Sequence, residues 1–155
     1  MKILLHICCA PCLIYPLKIL KGEGHDLTGL FFNPNIHPLL EYRKRRNALH
    51  IYADEQELAI TDSDHYPLED FFRRVAFHEE DRCRICYRLR LTYTALKAKE
   101  GRFEGFSTTL LYSKYQKHDA IREIGELLSN EYGVDFVYRD FREGWSEGAR
   151  LSKAA

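Results

Sequence analysis

All five cysteines of this 155-residue chain lie in two short groups: Cys8, Cys9 and Cys12 near the start, and Cys83 with Cys86 in the second half. Thiolates are the preferred ligands of iron–sulfur clusters, which usually take three or four of them. At the start of a helix, residues three apart project from one face, so Cys83 and Cys86 can clamp one metal. A single free cysteine is more often simply buried. Five thiols in two motifs favour metal or redox chemistry.

The spacing of the cysteines leaves two other kinds of site open. Cys9 and Cys12, with Pro11 between them at the start of a predicted helix, match a thioredoxin-like redox motif, but this leaves the second pair without a role. The pairs Cys9/Cys12 and Cys83/Cys86 also match a four-thiolate zinc site, which leaves Cys8 unexplained. Spacing alone does not separate zinc from an iron–sulfur cluster.

Strand patterns alternate with helix patterns along the whole chain, with no domain break, repeat or low-complexity tract. Such alternation produces crossover connections and a mostly parallel sheet. We therefore predict an α/β fold, a single three-layer domain of Rossmann-like or HUP-like type. The predicted strands are residues 2–8, 26–32, 57–60, 103–107 and 135–138, and the predicted helices are residues 13–21, 37–52, 68–77, one beginning after Cys83, and 113–132.

Apolar spacing and capping residues predict details of these helices. Ser113 and Gln116 form a capping-box pattern that predicts the start of the last helix. Helical periodicity places three sets of residues on the inward faces of their helices. They are Leu39, Tyr42, Leu49 and Tyr52 in the second helix, Ile85, Leu89, Thr92 and Leu96 after Cys83, and Ala120, Ile121, Ile124, Leu127 and Leu128 in the last helix.

Unusual residues follow the predicted strands. They are Cys8-Cys9-Ala10-Pro11-Cys12, Asn33-Pro34-Asn35, Thr108-Thr109 and Arg139-Asp140. In open parallel sheets, ligands bind beyond the carboxyl ends of the strands. We therefore expect these segments to form one site at one edge of the sheet. A helix beginning there favours an anionic thiolate.

The start of the chain predicts a cytoplasmic protein. No run of 18 or more apolar residues is present, so no transmembrane helix is expected. The apolar stretch at residues 2–8 is too short for a secretory signal, has no small-residue cleavage site, and is interpreted as a buried strand. In the cytoplasm thiols stay reduced, which favours metal or redox roles for clustered cysteines.

Basic residues are concentrated locally although 23 basic and 23 acidic residues give a net charge of zero. One run is Arg43-Lys44-Arg45-Arg46. Four arginines surround the second cysteine pair: Arg82, Arg84, Arg88 and Arg90. A local basic surface on a neutral protein suits a polyanion that docks at one place. The competing interpretation is a solvated helix face.

Five segments in this order resemble the epoxyqueuosine reductases of the QueH type. They are LLHICCAPC, FFNPNIHPLLEYRKR, RCRICYRLRL, GFSTTLLYSKYQKH and YRDFREGW, and the resemblance extends from about Ile3 to Ser152. It implies the cobalamin-independent reduction of epoxyqueuosine to queuosine in the anticodon of tRNA. It also implies a [4Fe–4S] cluster held by Cys8, Cys9, Cys83 and Cys86.

The chain departs from the family pattern at two places. Related proteins can hold an additional iron beside the cluster, and Cys12 stands where they carry a carboxylate. The family usually continues with a Cys-x-Cys pair thought to be redox active, and this sequence has none after Trp145. We therefore expect a single catalytic domain over residues 1–155 without that tail. Its electrons would then come from a donor that the sequence does not identify.

Titratable side chains in the resembling motifs are candidates for the chemistry. Converting an epoxide to an alkene and water takes two electrons and two protons. Each candidate for proton transfer has a structural hydrogen bond as its alternative role, and His6, inside the first strand, is expected to be a core residue. The candidates for catalysis are His118, Tyr115, Tyr87 and Asp140, with Cys12 beside the cluster.

Amides can pair with a base edge, guanidinium groups bind phosphate, and aromatic rings stack on unpaired bases. Trp145 stands in a polar tail with no apolar period, which favours a binding role. The candidates for substrate binding are Asn33, Asn35, Arg139, Arg142 and Trp145.

Three hypotheses follow for the function. The first is a tRNA-modifying reductase with an iron–sulfur cluster. The second is a cytosolic thiol–disulfide oxidoreductase that uses Cys9 and Cys12. The third is a zinc-stabilised RNA-binding module without catalysis.

Overall fold

A five-stranded parallel sheet forms the centre of the protein in the computed structural model, which describes residues 1–36, 38–62 and 82–145 together with Arg73 and Ala76. The spatial order of the strands is β3-β2-β1-β4-β5, and every neighbouring pair is parallel. The strands are β1 (Lys2–His6), β2 (Asp26–Phe31), β3 (Ala59–Asp62), β4 (Gly105–Thr108) and β5 (Asp135–Phe136).

Helices connect these strands. Among the described residues the α-helices are α1 (Ala10–Gly22), α2 (Leu39–Glu55), α3 (Arg82–Glu100) and α4 (His118–Tyr132). Short 3₁₀ helices span Thr109–Leu111 and Phe141–Gly144. Because crossovers between parallel strands are right-handed, the chain leaves β1 toward β2 with helices on one face and crosses to β4 with helices on the other. The predicted three-layer α/β fold is confirmed.

The first strand lies at the centre of the sheet and is buried on both faces. Leu4 pairs in register with Thr28 of β2 and with Phe106 of β4. The side chains of residues 3–7 are all buried, as expected for a strand covered by helices on both sides. The interpretation of this segment as a buried strand is confirmed. Among the described residues no helix is long and apolar enough to cross a membrane.

The predicted capping box is wrong. The last helix begins at His118, and the Ser113 hydroxyl instead accepts a hydrogen bond from the backbone N–H of Tyr115 at 3.2 Å. A tertiary contact explains why the helix begins later than predicted. The backbone N–H of Lys117, the residue before the helix, donates to the hydroxyl of Tyr87 at 2.9 Å, so a side chain of α3 fixes the helix start.

The inward faces of the helices agree with the prediction in part. Leu39, Leu96 and Leu127 are exposed, whereas most of the other predicted residues of two helices are buried, namely Tyr42, Leu49, Ala120, Ile121, Ile124 and Leu128. The buried face of α3 includes Ala95 and Ala98, whose small side chains suit close packing against the sheet and α4. Periodicity therefore predicted the buried faces of α2 and α4 but gave the wrong face for α3.

Several boundaries shift by a few residues. The third strand begins at Ala59 because the backbone N–H of Leu58 still bonds to the carbonyl of Ala53 and closes α2. The second helix begins at Leu39. The predicted helix over residues 68–77 and the start of the preceding one at His37 lie almost entirely outside the described residues.

Candidate metal centre

Three cysteine thiols meet where β1 ends. The sulfur atoms of Cys8, Cys9 and Cys12 all lie within 4.8 Å of one another, and we call them the cysteine triad. Cys9 directly precedes α1, and Pro11 occupies its first turn, where a missing N–H costs nothing. The Sγ–Sγ distance is 3.1 Å between Cys9 and Cys12 and 4.0 Å between Cys8 and Cys9. The triad can hold a metal ion.

The triad favours one thiolate. Contacts with Cys12 and Cys9 hold the pKa of Cys8 well below its ordinary value, with a further contribution from the Thr109 hydroxyl, 3.3 Å from its sulfur. The contact with Cys12 lowers the pKa of Cys9, but Cys8 and burial outweigh it and raise that pKa to about 12. The pKa of Cys12 is also raised, by its contacts with Cys8 and Cys9. A thiolate on Cys8 is the species that a soft metal would bind.

The third helix begins over the end of β1. Its Arg90 donates to Asn35, which follows β2, and its Tyr87 hydroxyl donates to Gln116, which follows β4, at 2.6 Å. Because β1 lies between β2 and β4, these two contacts place the start of α3 across the strand that carries the triad. Cys83 and Cys86 lie in the first two turns of this helix.

The two cysteines of α3 differ in exposure. Cys83 is exposed and Cys86 is half-buried. Burial raises the pKa of Cys86, while the charge of Arg90 opposes this increase. Among the described residues, the triad is the one group of three or more potential metal ligands whose ligand atoms all lie within 4.8 Å of one another. Neither cysteine of α3 belongs to it.

His6 is a satisfied core histidine. Its Nδ1 lies 2.9 Å from the Thr108 hydroxyl and its Nε2 lies 3.1 Å from the carbonyl of Phe32. Burial, and then the charge of Arg90, lower its pKa to about 4. The imidazole is therefore neutral at neutral pH, and the expectation of a core role is confirmed.

Asn33 lies beside the end of β1, and only the nitrogen of its side-chain amide forms a hydrogen bond within the described residues. Its Nδ2 donates to the carbonyl of Ile7 at 3.0 Å. Its Oδ1 is fully buried and has no hydrogen-bond partner among the described residues. Because this oxygen is closed off from the surface and borders His6, whose burial-lowered pKa the Asn33 side chain partly raises, it belongs to the core beneath the site.

His118 and Asp140 belong to one polar group after β4 and β5. The buried His118 ring contacts the Leu111 carbonyl through Nε2 at 2.9 Å and the Tyr138 hydroxyl through Nδ1 at 3.2 Å. The carboxylate of Asp140 accepts two hydrogen bonds from the Arg142 guanidinium, at 2.9 and 2.7 Å. These bonds lower the pKa of Asp140 to about 2, so it is ionised at neutral pH.

Aromatic rings lie next to the triad. Tyr112 stacks on Trp145 with centroids 5.0 Å apart, and Tyr115, which is 78% exposed, meets the edge of Trp145 at 5.8 Å. Burial is the main cause that raises the pKa of Tyr112. Tyr112 directly follows the 3₁₀ helix that begins at Thr109, whose hydroxyl lies 3.3 Å from the Cys8 sulfur, so the aromatic group and the triad are neighbours.

The structure places most of the predicted residues at the carboxyl edge of the sheet, but several of them already have polar partners within the protein. Asn35 accepts from Arg90. Arg139 donates to Glu23 at 3.1 Å, at the opposite end of α1 from the triad, so the structure does not bring its guanidinium to the site. Sequence reasoning missed Thr109, which touches Cys8, although it had placed this residue at the right edge. It also grouped Arg90 with surface arginines. The helical spacing of Arg90 from Tyr87 would have indicated an inward position.

Comparisons with known proteins identify the family of this chain. A family model described as Epoxyqueuosine reductase QueH matches residues 3–155. A protein named epoxyqueuosine reductase QueH from Dehalococcoides mccartyi is 35% identical over 152 residues, which cover 98% of this chain and 84% of that protein. A protein of the same name from Thermotoga maritima is also 35% identical, and the match covers 97% of this chain and 81% of that protein.

A solved structure shares the fold. It is a predicted subunit of tRNA methyltransferase from Methanocaldococcus jannaschii, with a TM-score of 0.64, 11% sequence identity, and a match covering 97% of this chain and 74% of that one. At this identity the likeness concerns the fold alone. The family model and the curated relatives together decide the assignment: this chain belongs to the QueH family of epoxyqueuosine reductases.

Proposed function

We propose that this protein reduces epoxyqueuosine to queuosine in the anticodon of tRNA, using a [4Fe–4S] cluster held by Cys8, Cys9, Cys83 and Cys86. The observation that carries the proposal is the cysteine triad at the end of β1, with α3 and its two cysteines beginning over the same strand. Relatives that are 35% identical over nearly the whole chain carry the name of this activity.

The donor set fits such a group. Thiolates are the usual ligands of iron–sulfur clusters, and the depressed pKa of Cys8 supports one preformed thiolate. Five thiols exceed the four that a cluster needs. We assign the remaining thiol, Cys12, to an additional iron beside the cluster. A zinc site is the alternative outcome of the metal analysis below.

The reaction consumes two electrons and two protons and releases the epoxide oxygen as water while a carbon–carbon double bond forms. When bound, the cluster would supply electrons one at a time, and the additional iron assigned to Cys12, rather than a cluster iron that already has its thiolate, would supply a Lewis acid for the oxygen. Protons must come from the protein or water. Tyr115 is the exposed donor beside the aromatic group, whereas His118 is buried with both ring nitrogens engaged and Asp140 is ionised. We therefore favour Tyr115 and assign His118 and Asp140 to positioning the loop behind it.

Substrate binding is proposed for the residues around the triad. Asn33 is proposed to contact the modified base, which requires its fully buried Oδ1 to become accessible when the substrate binds. Trp145, which stacks on Tyr112 and lies under the Lys114 ammonium at 5.4 Å, is proposed to stack on the base. Asn35, Arg139 and Arg142 are also proposed to line the substrate path. Each must exchange its present polar partner for a substrate group.

The partners are a tRNA carrying epoxyqueuosine and a one-electron donor. We propose that the protein works in the cytoplasm, where reduced thiols persist. Both proposals depend on the enzymatic assignment.

Metal analysis after anaerobic purification and reconstitution tests the proposal. We expect brown protein with about four irons and matching sulfide per chain. Colourless protein with a single zinc would support the binding module instead. Protein that holds no metal and cycles a Cys9–Cys12 disulfide would support the oxidoreductase.

Cys12→Ala should separate the extra thiol from the cluster ligands. We expect this variant to retain cluster iron and sulfide while turnover falls roughly tenfold or more, because a group beside the cluster tunes it without holding it. Cys9→Ala, which removes a neighbouring thiol 3.1 Å away, is the matched comparison and should lose the cluster. If Cys12→Ala loses the whole cluster, Cys12 is a primary ligand and Cys8 or Cys9 is not.

A further inference from the structure

Arg90 is a buried cation. Its side chain lies on the inward face of α3, and the residue is only 5% exposed. Its Nε donates to the Oδ1 of Asn35 at 2.7 Å, and its Nη2 contacts the same oxygen. Within the described ranges, no carboxylate forms an ion pair with it. The guanidinium is therefore held by a neutral amide rather than by a counter-charge.

Such an arrangement is costly unless an anion is present. A buried charge loses its hydration, and a neutral hydrogen-bond acceptor replaces only part of that loss. A guanidinium remains protonated in proteins, so Arg90 does not escape the cost by losing its charge. The position consequently calls for negative charge close to Arg90.

The negative charge at hand is that of the cysteines. Arg90 follows Cys86 by four residues, so the two side chains lie on the same helix face. Its contact with Asn35 directs it toward the loop after β2, beside the end of β1. The same loop is tied to the residue before Cys8, because the Nδ2 of Asn33 donates to the carbonyl of Ile7 at 3.0 Å. One buried cation therefore lies near both cysteine motifs.

We propose that Arg90 is a positioning residue that supplies the counter-charge of the iron–sulfur cluster and raises its reduction potential. This inference rests on the proposed function. Each thiolate brings negative charge to the cluster, and one-electron reduction adds one more. A fixed cation nearby stabilises the reduced state more than the oxidised state, and net charge and burial are among the factors that set cluster potentials.

Reduction potentials of reconstituted variants test this role. Arg90→Gln removes the charge and keeps a polar side chain of similar length. In an anaerobic titration followed by visible absorbance, we expect the ratio of reduced to oxidised cluster at a fixed potential to fall about tenfold, which is a shift of about 59 mV to more negative values. Arg90→Lys keeps the charge and should shift the potential far less.

Two controls separate charge from structure. Arg88→Gln removes the same charge from the exposed face of α3 and should leave the potential unchanged, because water screens that site. Asn35→Ala breaks the tie between Arg90 and the loop but keeps the cation, so its shift should be smaller than that of Arg90→Gln. Equal shifts in Asn35→Ala and Arg90→Gln would overturn the proposal, as would an unchanged potential in Arg90→Gln.

The remaining outcomes are also decisive. If Arg90→Gln does not retain a cluster, retention by Arg90→Lys supports the charge role and loss by Arg90→Lys contradicts it. Iron and sulfide in the wild-type protein are measured first. Their absence there would defeat the proposed function itself, whereas a normal wild-type cluster with an insensitive potential would defeat only the role of Arg90.

Discussion

Replacing Cys86 by alanine should strip iron and sulfide from the protein together. Cys86 lies half-buried in the second turn of α3, over the strand that ends in the triad. A cluster that loses one of four thiolates keeps an exposed iron edge that water and oxygen attack. We expect iron to fall from about four per chain to a small fraction of one, measured by iron and sulfide analysis after identical anaerobic reconstitution. Cys83→Ala should behave in the same way.

Ile85→Ala is the matched control, because it removes apolar volume from the same turn of α3 without removing a thiol. This variant should keep its iron, and the far-ultraviolet circular dichroism of all three variants should match that of the wild type. Full iron and sulfide in Cys83→Ala or Cys86→Ala would show that the residue is not a ligand. The triad with Cys12 would then be the metal site by itself.

Affinity for tRNA should fall on the order of a hundredfold between 50 and 200 mM salt. Roughly four to six phosphate contacts, each with a log–log slope near −0.7 to −0.9, produce a loss of this size. Arg43 and Lys44 are exposed in the half of α2 that begins at the carboxyl edge of the sheet. Reversing both charges, in Arg43→Glu with Lys44→Glu, should reduce the log–log slope by the contribution of about two phosphate contacts. The cluster spectrum should stay unchanged.

A pair of exposed basic residues at the opposite edge provides the control. Lys99 and Arg102 lie where α3 ends, and reversing both should leave the salt slope unchanged. Phosphate contacts position RNA without reading its sequence. Binding of modified and unmodified tRNA should therefore weaken alike in the α2 variant. If binding did not depend on salt, the proposal that this surface binds tRNA would be wrong. The basic run would then be an ordinary solvated helix face.

The position of the site was predictable from the sequence because strand ends in a parallel sheet share one edge. The sequence predicts that residues 2–8 form a strand buried on both faces, and such a strand lies at the centre of a parallel sheet. This alone places the first cysteines at the carboxyl end of the central strand, where ligands bind. The second cysteine pair follows from the same logic. A helix that connects to the neighbouring parallel strand must start at that edge, as α3 does.

Local patterns failed where distant side chains decide the outcome. Ser113 and Gln116 match a capping box, but Gln116 accepts from Tyr87 of α3 instead. Arg90 looked like one of four surface arginines because charge patterns do not show what packs on a helix. Its burial depends on Asn35, which is 55 residues earlier in the chain.

Reduction of the modified tRNA by cluster-loaded protein is the most direct test of the account. Reconstituted protein, dithionite as one-electron donor and tRNA carrying epoxyqueuosine are incubated without oxygen, and the nucleosides are then analysed by mass spectrometry. We expect the wild type to convert epoxyqueuosine to queuosine, with the loss of one oxygen, and the cluster-free Cys86→Ala variant to leave it unchanged. Unchanged epoxyqueuosine with wild-type protein that holds a full cluster, or equal conversion by the cluster-free variant, would contradict the account.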